Sequence, residues 1–224
     1  MVNLKGLGLL SLSLMAIAAQ ATIYADPQGD VAVPGNPFPH IDITSFEITN
    51  TLTDITFKFT LDGDPVATNW GKYGVILRTP TGTAGAGNGW ARPIELTGGA
   101  SHWIAGWADA GASSEFQLHS YNGTAWGQVS QTGTGLVIDG PNKSYSYTLS
   151  LASLGLSVGD TFKFDAITTG GGGSDSAVDS LTGSIANWGD TATLSGLDYQ
   201  VVPEPATMTL LGLGALAALK RRKK

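Results

Sequence analysis

Ile55-Thr56-Phe57-Lys58-Phe59-Thr60-Leu61 alternates apolar and polar residues without a break. Successive side chains of a strand point to opposite faces, so this period of two predicts a strand with one buried and one solvated face. The period recurs in Tyr145-Ser146-Tyr147-Thr148-Leu149-Ser150-Leu151 and in Phe162-Lys163-Phe164-Asp165-Ala166. Less regular runs at 41–50, 73–79, 92–96, 102–107, 116–121, 126–130 and 197–202 bring the expected strands to about ten. Asp62-Gly63, Gly98-Gly99, Gly140-Pro141 and Gly159-Asp160 supply turns, and Asn122-Gly123 is a hairpin signal between 116–121 and 126–130. Only residues 151–156 have room for a helical turn, and the Gly-rich stretches 82–89 and 170–173 read as loops. Many short alternating strands with no strand–helix–strand rhythm predict an all-β fold, a single antiparallel β-sandwich of jelly-roll or immunoglobulin-like type.

Outward from these strands, the chain divides into a body at 22–202 and two unlike ends. Six of the twelve basic residues and one of the eighteen acids lie outside the body, which therefore holds 17 acids against 6 bases, a formal charge of −11. Such a surface repels a phosphate backbone, so nucleic acid is excluded as a partner, while Ca²⁺ and neutral glycans are compatible. With no Cys there is no disulfide framework, thiolate catalysis or Cys-ligated zinc. Charged residues are only 13% of the chain, yet aromatic and β-branched residues are spread evenly, which argues against disorder.

Residues 1–21 carry Lys5, an apolar run and small residues at Ala19 and Ala21, the layout of a secretory signal peptide; cleavage is expected after Ala21, with Ala25 as second choice. Passage through the Sec translocon follows from that reading. Residues 203–224 contain Pro203-Glu204-Pro205, an uncharged small-residue stretch at 206–219 and five closing bases. An apolar segment stopped by a basic cluster reads as a transmembrane helix with the cluster on the cytoplasmic side. At 1.5 Å per residue those fourteen residues span only about 21 Å, short for a permanent anchor. Gly212-Leu213-Gly214-Ala215-Leu216-Ala217 fits a dinucleotide-binding spacing, but no strand precedes it and no acid follows, so it is helix composition.

The order Val202-Pro203-Glu204-Pro205, apolar helix, Arg221-Arg222 resembles the PEP-CTERM sorting signal of Gram-negative bacteria, recognised by an intramembrane exosortase. The resemblance implies a transient anchor, processing near Pro203, Glu204 and Pro205, and delivery to the cell surface or extracellular matrix; a plain tail anchor is the alternative. Within the body, Asp26-Pro27-Gln28-Gly29-Asp30, then 42–48 and 55–64, resemble the start of DOMON and family 9 carbohydrate-binding-module sandwiches, including the glucodextranase C-terminal type. The segment 159–181, with its Gly-rich loop and paired Asp, resembles a part of surface proteins that carry the same sorting tail. These resemblances imply a module that binds sugars, with aromatic platforms and structural Ca²⁺, or serves simply at the surface.

Trp70, Trp90 and Trp188 sit in Gly/Asn-rich loops, where an indole face either stacks on a pyranose or plugs the end of the sandwich. Trp103 and Trp107 are four apart and share a strand face, which suits packing. Asp26 with Asp30, and Asp175 with Asp179, are paired carboxylates that either cap turns or bind Ca²⁺, a hard cation that takes six to eight oxygens. The family resemblance adds Asp165 to that set. Catalysis finds no motif: the three His stand apart, with His102 and His119 expected as partly exposed strand residues, and the H-E-x-x-H, G-x-S-x-G and P-loop patterns are missing. The expectation is a non-enzymatic structural or adhesion protein of the exopolysaccharide layer. A Ca²⁺-dependent carbohydrate-binding module is the alternative, and a polysaccharide hydrolase the second.

Overall fold

The alternating stretch forms a strand at Asp54–Leu61, with Ile55, Phe57, Phe59 and Leu61 buried and the residues between them half-buried. This strand, β3, is the centre of one sheet of a computed structural model that describes residues 21–33, 35, 38–109, 114–183 and 187–203. Its neighbours are β2 (Ile43–Asn50), which pairs with β1 (Ala21–Ala25), and β10 (Ser144–Ser150), which pairs with β9 (Leu136–Asp139). All these pairings are antiparallel. The facing sheet runs β12 (Ala177–Ser180), β11 (Thr161–Thr169), β4 (Lys72–Arg78), β6 (His102–Trp107), β7 (Phe116–Tyr121), β8 (Trp126–Thr132), with β14 (Leu197–Gln200) also paired to β11. A small parallel pair, β5 (Ile94–Leu96) with β13 (Ala192–Leu194), lies outside the two sheets.

The inward faces interleave Phe46, Phe57, Phe59, Tyr73, Tyr145, Tyr147, Phe162 and Phe164, all fully buried. Tyr73 stacks on Tyr145 with centroids 4.3 Å apart, and Phe46 stands edge-on to Phe59 at 4.9 Å. Two antiparallel sheets packed on one aromatic core are the sandwich that the period of two predicts. The outer face of the second sheet is covered as well: Trp103 and Ile76 pack with Ile94, Leu96, Ala192 and Leu194 of the parallel pair. Trp103 is therefore buried, but in this second layer and not between the sheets.

Fourteen strands occur among the described residues, against about ten expected. Strands β1, β9, β12 and β13 were not legible as a period of two. Three of them have only three or four residues, and β12 is buried at every position, so no polar face alternates with an apolar one. Residues Leu151–Leu154 form a 3-10 turn, closed by Gly155 at φ +63°, where the helical turn was expected. Asn122 and Gly123 do connect β7 to β8, within a four-residue loop in which Asn122 Oδ1 accepts the N–H groups of Thr124 and Ala125. His102 and His119 are buried and not partly exposed: His102 shares the inner face of β6 with Ile104, while His119, paired with Trp103 on the outer face, is covered by the chain at Gly89. No helix among the described residues is long and apolar enough to cross a membrane. Of the expected signal peptide at 1–21 only Ala21 is described, as the first residue of β1, and the remainder, like the expected transmembrane helix at 206–219, lies outside the described residues.

Candidate metal centre

After β1 the chain crosses the end of the sandwich as a strap without regular structure, residues 26–33. Its hold on the fold is polar: Gly29 N–H donates to Asp42 Oδ2 at 2.8 Å, and Ala32 N–H donates to the carbonyl of Val178 at 2.8 Å. The second bond lays the strap along β12, next to Asp179. Carboxylate oxygens of Asp26, Asp30 and Asp179 thereby come within 4.8 Å of one another, although Asp179 is 149 residues from Asp30.

Asp179 anchors the group. It is 0% exposed, and its Oδ2 accepts the Ile43 N–H at 2.6 Å, joining β12 to the start of β2. Its Oδ1 is buried with no hydrogen-bond partner, as are Asp26 Oδ2 and Asp30 Oδ1. A buried acceptor without a donor costs about 1–3 kcal/mol, more for a charge, so three converging orphan oxygens call for a cation or protons. Burial raises the Asp179 carboxyl to about 9, against the Ile43 bond and with the charges of Asp26, Asp30 and Asp42 adding to the rise. Burial first and then Asp30 raise Asp26 to about 7, and burial with the Asp42 charge raises Asp30. Oxygen-only ligands of this kind suit Ca²⁺ or Mg²⁺, and the donor set fits the Ca²⁺ that the resemblance implies.

The other two expected ligands are placed differently. Asp165 is buried and close enough to raise Asp26, yet its oxygens accept the Leu181 N–H at 3.1 Å and the Thr182 hydroxyl. Burial lifts it to about 6, opposed by the Thr182 bond. Asp175 turns back on its own loop, where it accepts the Gly172 N–H at 2.7 Å, and does not join the group. Asp42 was not singled out in the sequence; its place beside the cluster follows from the Gly29 contact, and its only signal was its position at the head of the 42–48 run.

Of the three loop tryptophans, two converge. Trp70 and Trp188 are 6.1 Å apart between centroids, with Phe38 edge-on to Trp70 at 5.1 Å and His40 at 4.4 Å. They are half-buried over Val31, Ile41 and Val178, so the strap residue after Asp30 and the strand residue before Asp179 both belong to this cluster. Trp90 packs elsewhere. It lies on Trp103 at 5.7 Å, donates Nε1–H to Gln117 Oε1 at 2.7 Å and carries the Arg92 guanidinium 5.2 Å from its ring. A single platform of Trp70, Trp90 and Trp188 is therefore not formed.

Fold and site together define a Cys-free antiparallel β-sandwich that gathers buried carboxylates and paired indoles at one end. Residues 201–224 match the PEP-CTERM protein-sorting motif, a span that includes Pro203, Glu204, Pro205, Arg221 and Arg222. That motif implies export and sorting to the cell surface, with exosortase as the processing partner. No curated protein and no solved structure matches the chain. The likeness of the body to DOMON and family 9 modules rests on the quoted residues alone.

Proposed function

We propose that the body is a non-enzymatic surface module with a structural or adhesion role in the extracellular polysaccharide layer, its loop end fixed by Ca²⁺ held by Asp26, Asp30 and Asp179. The observation that carries this reading is the meeting of three buried, partnerless carboxylate oxygens between the strap and β12. A cation there would tie the start of the body to β12 in a chain with no disulfide to do so. The histidines support a non-catalytic role: His102 shares a hydrogen bond with Ser101 and His119 one with Gln117, while burial holds His40 and His102 down to about 4.

Thermal melting of the purified body in Ca²⁺ and in EDTA tests the metal. The expected result is a clearly lower midpoint in EDTA, restored by adding Ca²⁺, and an unchanged midpoint would remove the ion from the account. A Ca²⁺-dependent sugar-binding role draws its support from the Trp70–Trp188 pair, which borders the carboxylates through Val31 and Val178. Retardation on polysaccharide gels that is lost in Trp70→Ala and Trp188→Ala but kept in Trp90→Ala would establish it.

A further inference from the structure

Both ends of the body leave the sandwich at one pole, opposite the carboxylates. Ala21, the first residue of β1, is paired with Thr49, one residue before Asn50 at the end of β2. Asn50 is buried, and its amide grips the main chain of Val202 from both sides: Nδ2–H donates to the Val202 carbonyl at 2.8 Å, and Oδ1 accepts the Val202 N–H at 3.2 Å. Tyr199 holds the same Oδ1 through its hydroxyl at 2.7 Å. Val201 is fully buried, donates to the Asp160 carbonyl at 2.9 Å and accepts the Gly159 N–H at 2.7 Å. The first two residues of the sorting motif are thus part of the folded body.

The consequence is geometric. Only Pro203, Glu204 and Pro205 separate the clamped Val202 from the apolar segment at 206–219, and three extended residues reach about 10 Å. An enzyme that takes the Pro-Glu-Pro element into its active site therefore meets the surface of the folded body around Val202. That surface is formed by the β2–β3 turn and the loop before β11. Leu52 and Val158 stand on its two sides, 49% and 37% exposed. Its acids are engaged locally, Asp54 by the Thr53 hydroxyl at 2.6 Å and Asp160 by the Ser157 N–H at 2.8 Å. The patch thus presents two aliphatic side chains beside two locally held carboxylates. It has no Lys or Arg of the kind that an anionic bilayer surface recruits, which favours a protein partner over lipid.

We infer that this exit pole is a docking surface for exosortase, on which Leu52 and Val158 make contact while the Asn50 clamp sets the direction in which Pro203-Glu204-Pro205 departs. The inference rests on the sorting reading and is independent of the metal. Its test uses the full chain in cells that contain the enzyme. A photoreactive residue at position 52 or 158 is expected to crosslink to exosortase; adducts with lipid alone, or none, would overturn the docking. Leu52→Glu with Val158→Glu is expected to slow release several-fold, and a spacer of about ten Gly/Ser residues between Val202 and Pro203 to restore it by relieving the forced contact. Unimpaired release of the double variant overturns the docking alone. Replacing Pro203-Glu204-Pro205 by alanines should block release in every background; normal release of that control would sink the sorting reading and the docking with it. The crosslinking arm leaves the rest of the chain native, so it decides the matter even where the double variant folds poorly.

Discussion

The two poles of the sandwich are joined by one strand and built on opposite principles. At the first residue of β2, the Ile43 N–H is held by a buried carboxylate that has too few donors; at the last, the Asn50 amide meets its backbone partner donor for acceptor. Eight residues separate these solutions by about 24 Å. The difference teaches which end depends on solution conditions. A neutral amide clamp is complete as folded, whereas the carboxylate end is complete only with a cation or protons, and in a Cys-free exported domain that makes one pole conditional and the other constitutive.

The sharpest way to break the contrast is Asp179→Asn. Asn keeps an acceptor for the Ile43 N–H but removes a buried charge and a strong ligand. In saturating Ca²⁺ the variant should lose the ion's contribution, about 3 kcal/mol when the free ion is a hundred times its dissociation constant. In EDTA the sign reverses, and the variant should be at least as stable as the parent, because Asn is neutral without the proton that the buried Asp179 carboxyl must take up on folding. Denaturant melts in the two conditions measure both. Equal destabilisation in Ca²⁺ and EDTA would mean that Asp179 is only a structural acceptor and that the poles do not differ.

How much of this contrast the sequence disclosed depended on range. The period of two at 55–61 assigns Phe57 and Phe59 to the core because that periodicity is local. It says nothing about which loop meets which strand, so Asp26 and Asp30 could be paired with Asp179 only by resemblance. The expectation that Asp175 acts with Asp179 failed for a local reason: the pairing of β11 with β12 shifts register between Thr168 and Thr169, and the 172–175 turn returns Asp175 to Gly172. Trp70, Trp90 and Trp188 looked alike as loop residues flanked by Gly or Asn, but the covering layer in which β5 pairs with β13, a strand too short to show a period, drew Trp90 away. Asn50 could not be read at all, since an Asn that ends a strand resembles any turn residue until the chain returns 152 residues later.

A smaller effect comes from pH. Asp179, raised to about 9, and Asp26, raised to about 7, keep protons in the metal-free fold that the unfolded chain releases near pH 4. The folded state then binds more protons, so stability falls as pH rises through that window. The three histidines are depressed by burial and act in the opposite sense, but only below their ordinary value of 6.5. Between about pH 6.5 and 8.5 the carboxylates therefore act alone, and melts in EDTA should show a loss on the order of 2–3 kcal/mol. Ca²⁺ should remove that slope, because the ion takes the place of the protons. A rise in stability over the same range in EDTA would contradict the picture of the conditional pole.

The smallest expected effect belongs to the exit pole and asks whether β2 couples the two ends. Tyr199→Phe deletes the hydroxyl that donates to Asn50 Oδ1 and leaves the Val202 N–H on that oxygen, so the loss should be about 1 kcal/mol. Burial raises the Tyr199 hydroxyl to about 12, so it stays a donor throughout, and the cost should be the same at pH 6.5 and 8.5 and the same with or without Ca²⁺. Combined with Asp179→Asn, the two changes are separated by the length of β2 and share no partner, and their effects should add to within about 0.5 kcal/mol. A larger interaction energy in Ca²⁺ that vanishes in EDTA would mean that the ion stiffens β2 along its length. The clamp on the sorting motif would then respond to the state of the carboxylates at the far pole, and the two regions would be one device.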